Sequence, residues 1–318
     1  MPATSNRLLP TLARWLRRAA LPVVAAATLA ACGGGDRVEP FKPSRIYIYG
    51  DEFSYIEPYN SSSNPGLKYT VNAPASPQAS NPPASFACGL NPLWVQWLVN
   101  DHYGKDLDVC PIGNEATPSA TLKAQPGWTT QNVLNELNAR WNAGGFTKGD
   151  LVVIFIGTND VLGSSDVTAQ GAALGQAVRR IAAAGANILV ATVPVLGPDN
   201  AQSSRRVDFN NALRGTNGLG SIDGRRVALL QTDAQIDSFF RDGNNSSWNA
   251  RSCGNSVSAA TGCYSGYEQT TGSSTTTTIS GTNVNGSNLL WSFGVWFSIY
   301  GHELIGNLAR SQVNDSWE

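Results

Sequence analysis

Leu151-Val152-Val153-Ile154-Phe155-Ile156-Gly157-Thr158-Asn159-Asp160 is the stretch that decides the fold. Its uninterrupted apolar run is what a central parallel strand, buried on both faces, requires. Similar runs lie on either side of it. Arg45–Gly50 is short, β-rich and ends in glycine, and Asn187–Val193 is closed by Pro194. Arg226–Gln231 is a further strand, and a brief one is expected near Leu107–Cys110. Helical spacing marks the segments between them. Leu93–Tyr103 carries Trp94, Trp97 and Leu98, and Trp128–Trp141 places Val133, Leu134, Leu137 and Trp141 on one face. Val167–Ala184, capped by Gly185, and Val207–Arg214 are the next helices, and Ser298–Gln312 closes the chain. Strands alternating with helices imply right-handed βαβ units and a parallel sheet covered on both faces. Ligands of such sheets bind beyond the carboxyl ends of the strands, so the residues after Gly50, Ile156, Val193 and Gln231 matter most.

Charge divides the chain in two. The 318 residues carry 22 Lys+Arg and 23 Asp+Glu. Residues 1–31 hold Arg7, Arg14, Arg17 and Arg18 and no acid, which leaves 18 basic groups against 23 acidic ones beyond them. Nothing supplies the basic face that a nucleic-acid partner needs, and no GxGxxG or Walker pattern implies a nucleotide. After the arginines comes an apolar run, Ala19–Ala31, too short to span a bilayer as a stable helix. It ends at Cys32-Gly33-Gly34-Gly35, which resembles a bacterial lipoprotein signal whose cysteine is lipidated. The expected organisation is a signal peptide over 1–31, a tether over 32–44 and one domain over 45–318. The expected location is the bacterial cell envelope, the chain being held by its lipid on an outer membrane or a periplasmic face.

With Cys32 lipidated, Cys88, Cys110, Cys253 and Cys263 remain. An even number in an exported chain points to disulfides. Three pairings exist, and proximity favours Cys88–Cys110 with Cys253–Cys263. A metal site has little support, since there is no CxxC pair and the only histidines are His102 and His302. Residues 57–87 and 243–288, rich in Pro, Ser, Asn, Thr and Gly, read as long irregular segments.

Four blocks carry the chemistry: Gly50-Asp51-Glu52-Phe53-Ser54, Gln125-Pro126-Gly127-Trp128, Gly157-Thr158-Asn159-Asp160, and Phe293 through Trp296 to His302. In order and spacing they resemble the sequence blocks of the SGNH (GDSL) hydrolases, a family of esterases, lipases and acylhydrolases. The resemblance implies a flavodoxin-like, three-layer α/β/α domain without a cofactor. It also implies a Ser–His–Asp triad and an oxyanion hole built from a serine N–H, a glycine N–H and an asparagine amide. Gly127 and Asn159 match the glycine and the asparagine. The triad positions do not match: Glu52 stands at the nucleophile, Phe293 at the Asp and Trp296 at the His.

A carboxylate is a poor nucleophile toward an ester. Trp has one N–H donor and no titratable base, and Phe has neither. The expectation is therefore a pseudoenzyme with a binding or structural role. Glu52 would fill the oxyanion pocket itself, and Phe293 and Trp296 would either plug the old site or wall a groove for an acyl chain or a sugar. The competing expectation is an active ester hydrolase that uses a displaced nucleophile such as Ser54. Asp51 and Asp160 are expected in turn and cap hydrogen bonds, His302 in a capping or packing role, and His102 as an exposed polar residue.

Overall fold

In a computed structural model, residues 40–75, 85–197, 203–221, 225–241 and 289–317 are described. The expected signal peptide with Cys32, the 243–288 segment and the expected pair Cys253–Cys263 lie outside these residues. Five strands form one parallel sheet: β1 (Arg45–Gly50), β2 (Ala120–Ala124), β3 (Asp150–Phe155), β4 (Asn187–Ala191) and β5 (Val227–Leu230). Their order is β2-β1-β3-β4-β5, the flavodoxin-like arrangement. Every residue of β3 is buried, as its apolar run requires.

The helices are α1 (Trp94–Gln96), which continues as a π-helix (Trp97–His102), α2 (Thr130–Asn142), α3 (Thr158–Leu162), α4 (Val167–Ala183), α5 (Ser203–Arg214), α6 (Thr232–Arg241) and α7 (Ile299–Trp317). α1 and the π-helix pack with α7, while α2 packs on α4 and α4 on α5.

Three expectations about elements are corrected. The segment at 93–103 is helical, but most of it is π: the Tyr103 N–H reaches back to the Leu98 carbonyl. Its Trp97 sits where a Cβ added at Gly306 of α7 would meet it at 2.6 Å. Leu107–Cys110 is a tight turn and not a strand, because the Cys110 N–H returns to the Leu107 carbonyl. The strand on this side of β1 is β2, which pairs Ile48 with Leu122. α3 and α6 were not expected.

The Cys88–Cys110 disulfide is formed. It joins the turn at 107–110 to the loop before α1, and that loop is held from beneath by a lysine. Lys68 is fully buried. Its ammonium donates to the carbonyls of Cys88 at 2.9 Å, Leu90 at 2.5 Å and Asn91 at 2.9 Å. Among the described residues no helix is long and apolar enough to cross a membrane.

Candidate functional site

Strand order reverses at β1, whose neighbours are β2 on one side and β3 on the other. Chains leaving β1 and β3 therefore diverge, opening the crevice where sheets of this kind bind ligands. Glu52 follows β1 and Asn159 follows β3. The turn after β3 depends on Gly157, whose φ is +117°. A Cβ there would lie 2.6 Å from Phe209 Cζ and 2.7 Å from Val193 Cγ2. Glycine alone meets both demands, and it lets α3 begin at once with Asn159 at its second position. Gly127 has free space around it, but its φ of +75° turns the loop before α2 so that its N–H faces Glu52.

The Glu52 carboxylate is gripped from both sides. Oε1 accepts from the Gly127 N–H at 2.7 Å, and Oε2 accepts from Asn159 Nδ2 at 2.8 Å. The same Nδ2 donates to the Trp128 carbonyl at 3.0 Å, which fixes the amide orientation. Charge-assisted bonds of this length are the stronger kind. They join the chain after β1, the loop before α2 and α3.

Asp51, one residue earlier, is fully buried, and its Oδ1 accepts from the Phe53 N–H. Burial pushes its carboxyl well above the usual carboxylate range, and the neighbouring Glu52 charge pushes the same way. Asp160 caps α2 across the site, with Oδ2 accepting from the Thr130 N–H at 2.7 Å and the Thr130 hydroxyl at 2.9 Å.

Ser54 has no exposed surface, and its hydroxyl accepts from the Trp94 indole N–H at 3.2 Å. Phe293 is buried with Val71 in a small apolar cluster that Tyr69 and Trp296 flank. Trp296 is half-buried, edge-on to Phe53 at 5.2 Å and to Tyr69 at 5.6 Å. A tight turn sets this geometry, since the Trp296 N–H returns to the Phe293 carbonyl. Tyr69 and Trp94, both in contact with the site's residues, stand outside the four sequence blocks, and no motif marked them.

His302 is fully buried on α7, and its Nδ1 accepts from the Trp94 N–H at 3.3 Å, which caps α1. Burial, with some help from Lys68, lowers its pKa to about 3 from 6.5, while the Tyr69 backbone acts the other way. A depressed folded value means that the unfolded chain takes up the proton first as pH falls. Stability contributed by the neutral ring is then present above pH 6.5 and is lost as pH falls toward 3, at up to about 1.4 kcal/mol per unit. His302→Leu should flatten this part of the slope in urea unfolding between pH 7 and pH 4.5. A variant as steep as the parent would refute the assignment. His102 is half-buried against Tyr103, with ring centres 4.5 Å apart, and not fully exposed as expected. Among the described residues no group of His, Cys, Asp or Glu is placed to hold a metal ion.

Residues 86–236 match the sequence model of the GDSL-like lipase/acylhydrolase family. That span contains Gly127 and Asn159 but not Glu52, Phe293 or Trp296. No curated protein matches the chain. Among solved structures, one similar chain is a member of the lipolytic G-D-S-L family from Veillonella parvula, with 11% identity, a TM-score of 0.45, and 84% of this chain and 96% of that one covered. A lipase/acylhydrolase from Enterococcus faecalis has 14% identity and a TM-score of 0.43, over 86% and 97%. An acetylxylan esterase from Geobacillus stearothermophilus has 12% identity and a TM-score of 0.40, over 86% and 94%.

Proposed function

We propose that the chain is a non-hydrolytic form of the GDSL-like lipase/acylhydrolase domain whose sequence model residues 86–236 match, working as a binding or structural protein of the bacterial envelope. One observation carries the reading. The two donors that would receive a substrate oxygen, the Gly127 N–H and the Asn159 amide, already hold the protein's own carboxylate, Glu52. Such donors lower a barrier only when aimed at charge that develops in the transition state. Here a permanent side chain occupies them.

The other family positions support the same conclusion. Phe293 and Trp296 bring no base to the site. Ser54, the alternative nucleophile, is enclosed and engaged by Trp94, and Asp51 and Asp160 are committed to a turn and a cap. We further propose that Cys32 carries the lipid that holds the protein on the membrane, with residues 33–44 as the tether. A half-buried wall of Trp296 and Tyr69 favours a ligand with some apolar surface, an acyl chain or the face of a sugar among them.

Purified protein lacking residues 1–32 should turn over p-nitrophenyl acetate and p-nitrophenyl palmitate no faster than the same protein heat-denatured. Turnover that disappears in Ser54→Ala would overturn the reading in favour of an ester hydrolase.

A further inference from the structure

The Glu52 carboxylate has hydrogen-bond partners but, among the described residues, no ion pair. Its two donors are a backbone N–H and a carboxamide, both neutral. Among the described residues, the ion pairs are made elsewhere: Arg45–Asp150, Lys105–Glu115, Arg206–Asp237 and Arg214–Asp233. A chain of aromatic rings begins at the residue after Glu52: Phe53 packs on Trp296, and Trp296 on Tyr69. Trp296 and Tyr69 meet edge to face at 74°, Phe53 meets Trp296 in the same manner, and Tyr69 also packs on Tyr55 and Phe293. The Tyr69 phenol is near enough to the carboxylate that the Glu52 charge, after burial, pushes it up. The cluster reaches the surface, since Tyr69 and Trp296 are half-buried and Glu52 keeps 6% of its own surface open.

A nearly buried carboxylate beside half-buried rings selects by charge. An anion is repelled. A small metal ion would find a carboxylate whose oxygens already accept hydrogen bonds, and among the described residues no cluster of His, Cys, Asp or Glu to complete its shell. A neutral ligand would remove water from the carboxylate without compensating it. A weakly hydrated organic cation gains from both the charge and the ring faces. We propose that this pocket binds an alkylated ammonium group, with Glu52 supplying the opposite charge and Tyr69 and Trp296 the faces. The inference deepens the non-hydrolytic reading and rests on it. A site that in the family receives an oxyanion is here turned into a receptor for a cation. The group occurs both on free small molecules and on zwitterionic phospholipid headgroups, and the same chemistry would recognise either.

The test uses the protein lacking residues 1–32, with choline chloride and its neutral isostere 3,3-dimethylbutan-1-ol in calorimetry, and vesicles of phosphatidylcholine or phosphatidylglycerol in flotation. Choline should bind at least about 10-fold more tightly than the isostere, and Glu52→Gln and Trp296→Leu should each weaken it by a similar factor. Trp296→Leu leaves the Glu52 hydrogen bonds intact, and near-ultraviolet circular dichroism checks that both variants fold. Binding to phosphatidylcholine vesicles alone, lost in the same variants, supports the proposal with a lipid as the source. Equal affinity for the isostere, equal capture by phosphatidylglycerol, no binding in either format, or binding unchanged in both variants overturns it. Ester turnover on the same preparations separates the levels. No binding without turnover refutes this inference alone, whereas turnover refutes the reading beneath it.

Discussion

Replacing Lys68 by methionine should lower the unfolding free energy by about 2–4 kcal/mol, read as a fall in the urea midpoint. Methionine matches the length of the lysine stem but donates nothing. The carbonyls of Cys88, Leu90 and Asn91 would lose the ammonium that now serves all three. The Cys88 carbonyl keeps the Gln96 amide, so the carbonyls of Leu90 and Asn91 are the ones left without a donor; each costs about 1–3 kcal/mol where buried, and less where water reaches the loop. A second term works the other way, because methionine carries no charge to bury. Burial alone lowers the Lys68 ammonium to about 7. The loop held here is pinned again by the Cys88–Cys110 disulfide and by Gln96, whose amide donates to the Cys88 carbonyl at 2.9 Å. Loss of Lys68 should therefore loosen the loop before it frees α1, with faster proteolytic cleavage near 89–91. A midpoint shift worth less than about 0.5 kcal/mol would show that the three bonds are replaced by water at little cost.

Lys68 also marks where the sequence stops being readable. In a run of Pro, Ser and Asn, a lysine reads as a solvated loop residue. Its burial follows from three carbonyls brought together by residues some twenty positions away, which no local pattern encodes. β3 and β4 were legible because a fully buried strand must be apolar at every position, and both are buried throughout. β2 was not legible. Ala120-Thr121-Leu122-Lys123-Ala124 has one large apolar side chain, and its burial alternates with partly exposed positions as an edge strand's does. The Leu107–Cys110 run has the composition of a strand, yet its turn bond and the disulfide fold it back. At the site the contrast is similar. Glu52, Gly127 and Asn159 stand in blocks that resemble those of the SGNH hydrolases, and that resemblance implied their meeting. Tyr69 and Trp94 arrive from loop and helix positions that carry no motif, and only the packing brings them in. Ser54 looked available two residues past Glu52, but the indole of Trp94 encloses its hydroxyl.

Removing the Glu52 carboxylate, as Glu52→Ala, should destabilise the fold by about 2–4 kcal/mol, because two hydrogen bonds to a charged acceptor are lost at once. The more telling result is what restores it. The vacated space would be bounded by the Gly127 N–H and by an Asn159 amide that the Trp128 carbonyl still orients. A free carboxylate such as formate can take up the positions of Oε1 and Oε2. Formate should then raise the Tm of Glu52→Ala, with a gain of about 1.4 kcal/mol when its concentration is ten times its Kd. The parent protein, whose donors are occupied, should respond to formate as it does to chloride at equal ionic strength. Glu52→Gln sets a useful intermediate, since its amide oxygen can satisfy one donor while its amino group faces the other. An equal response of parent and Glu52→Ala to formate would mean that the anion acts elsewhere. An Ala variant as stable as the parent would mean that Gly127 and Asn159 find other partners and that the carboxylate does not hold the site together. Rescue by formate alone would establish that the pocket still receives an oxyanion, and that in the native chain Glu52 is that oxyanion.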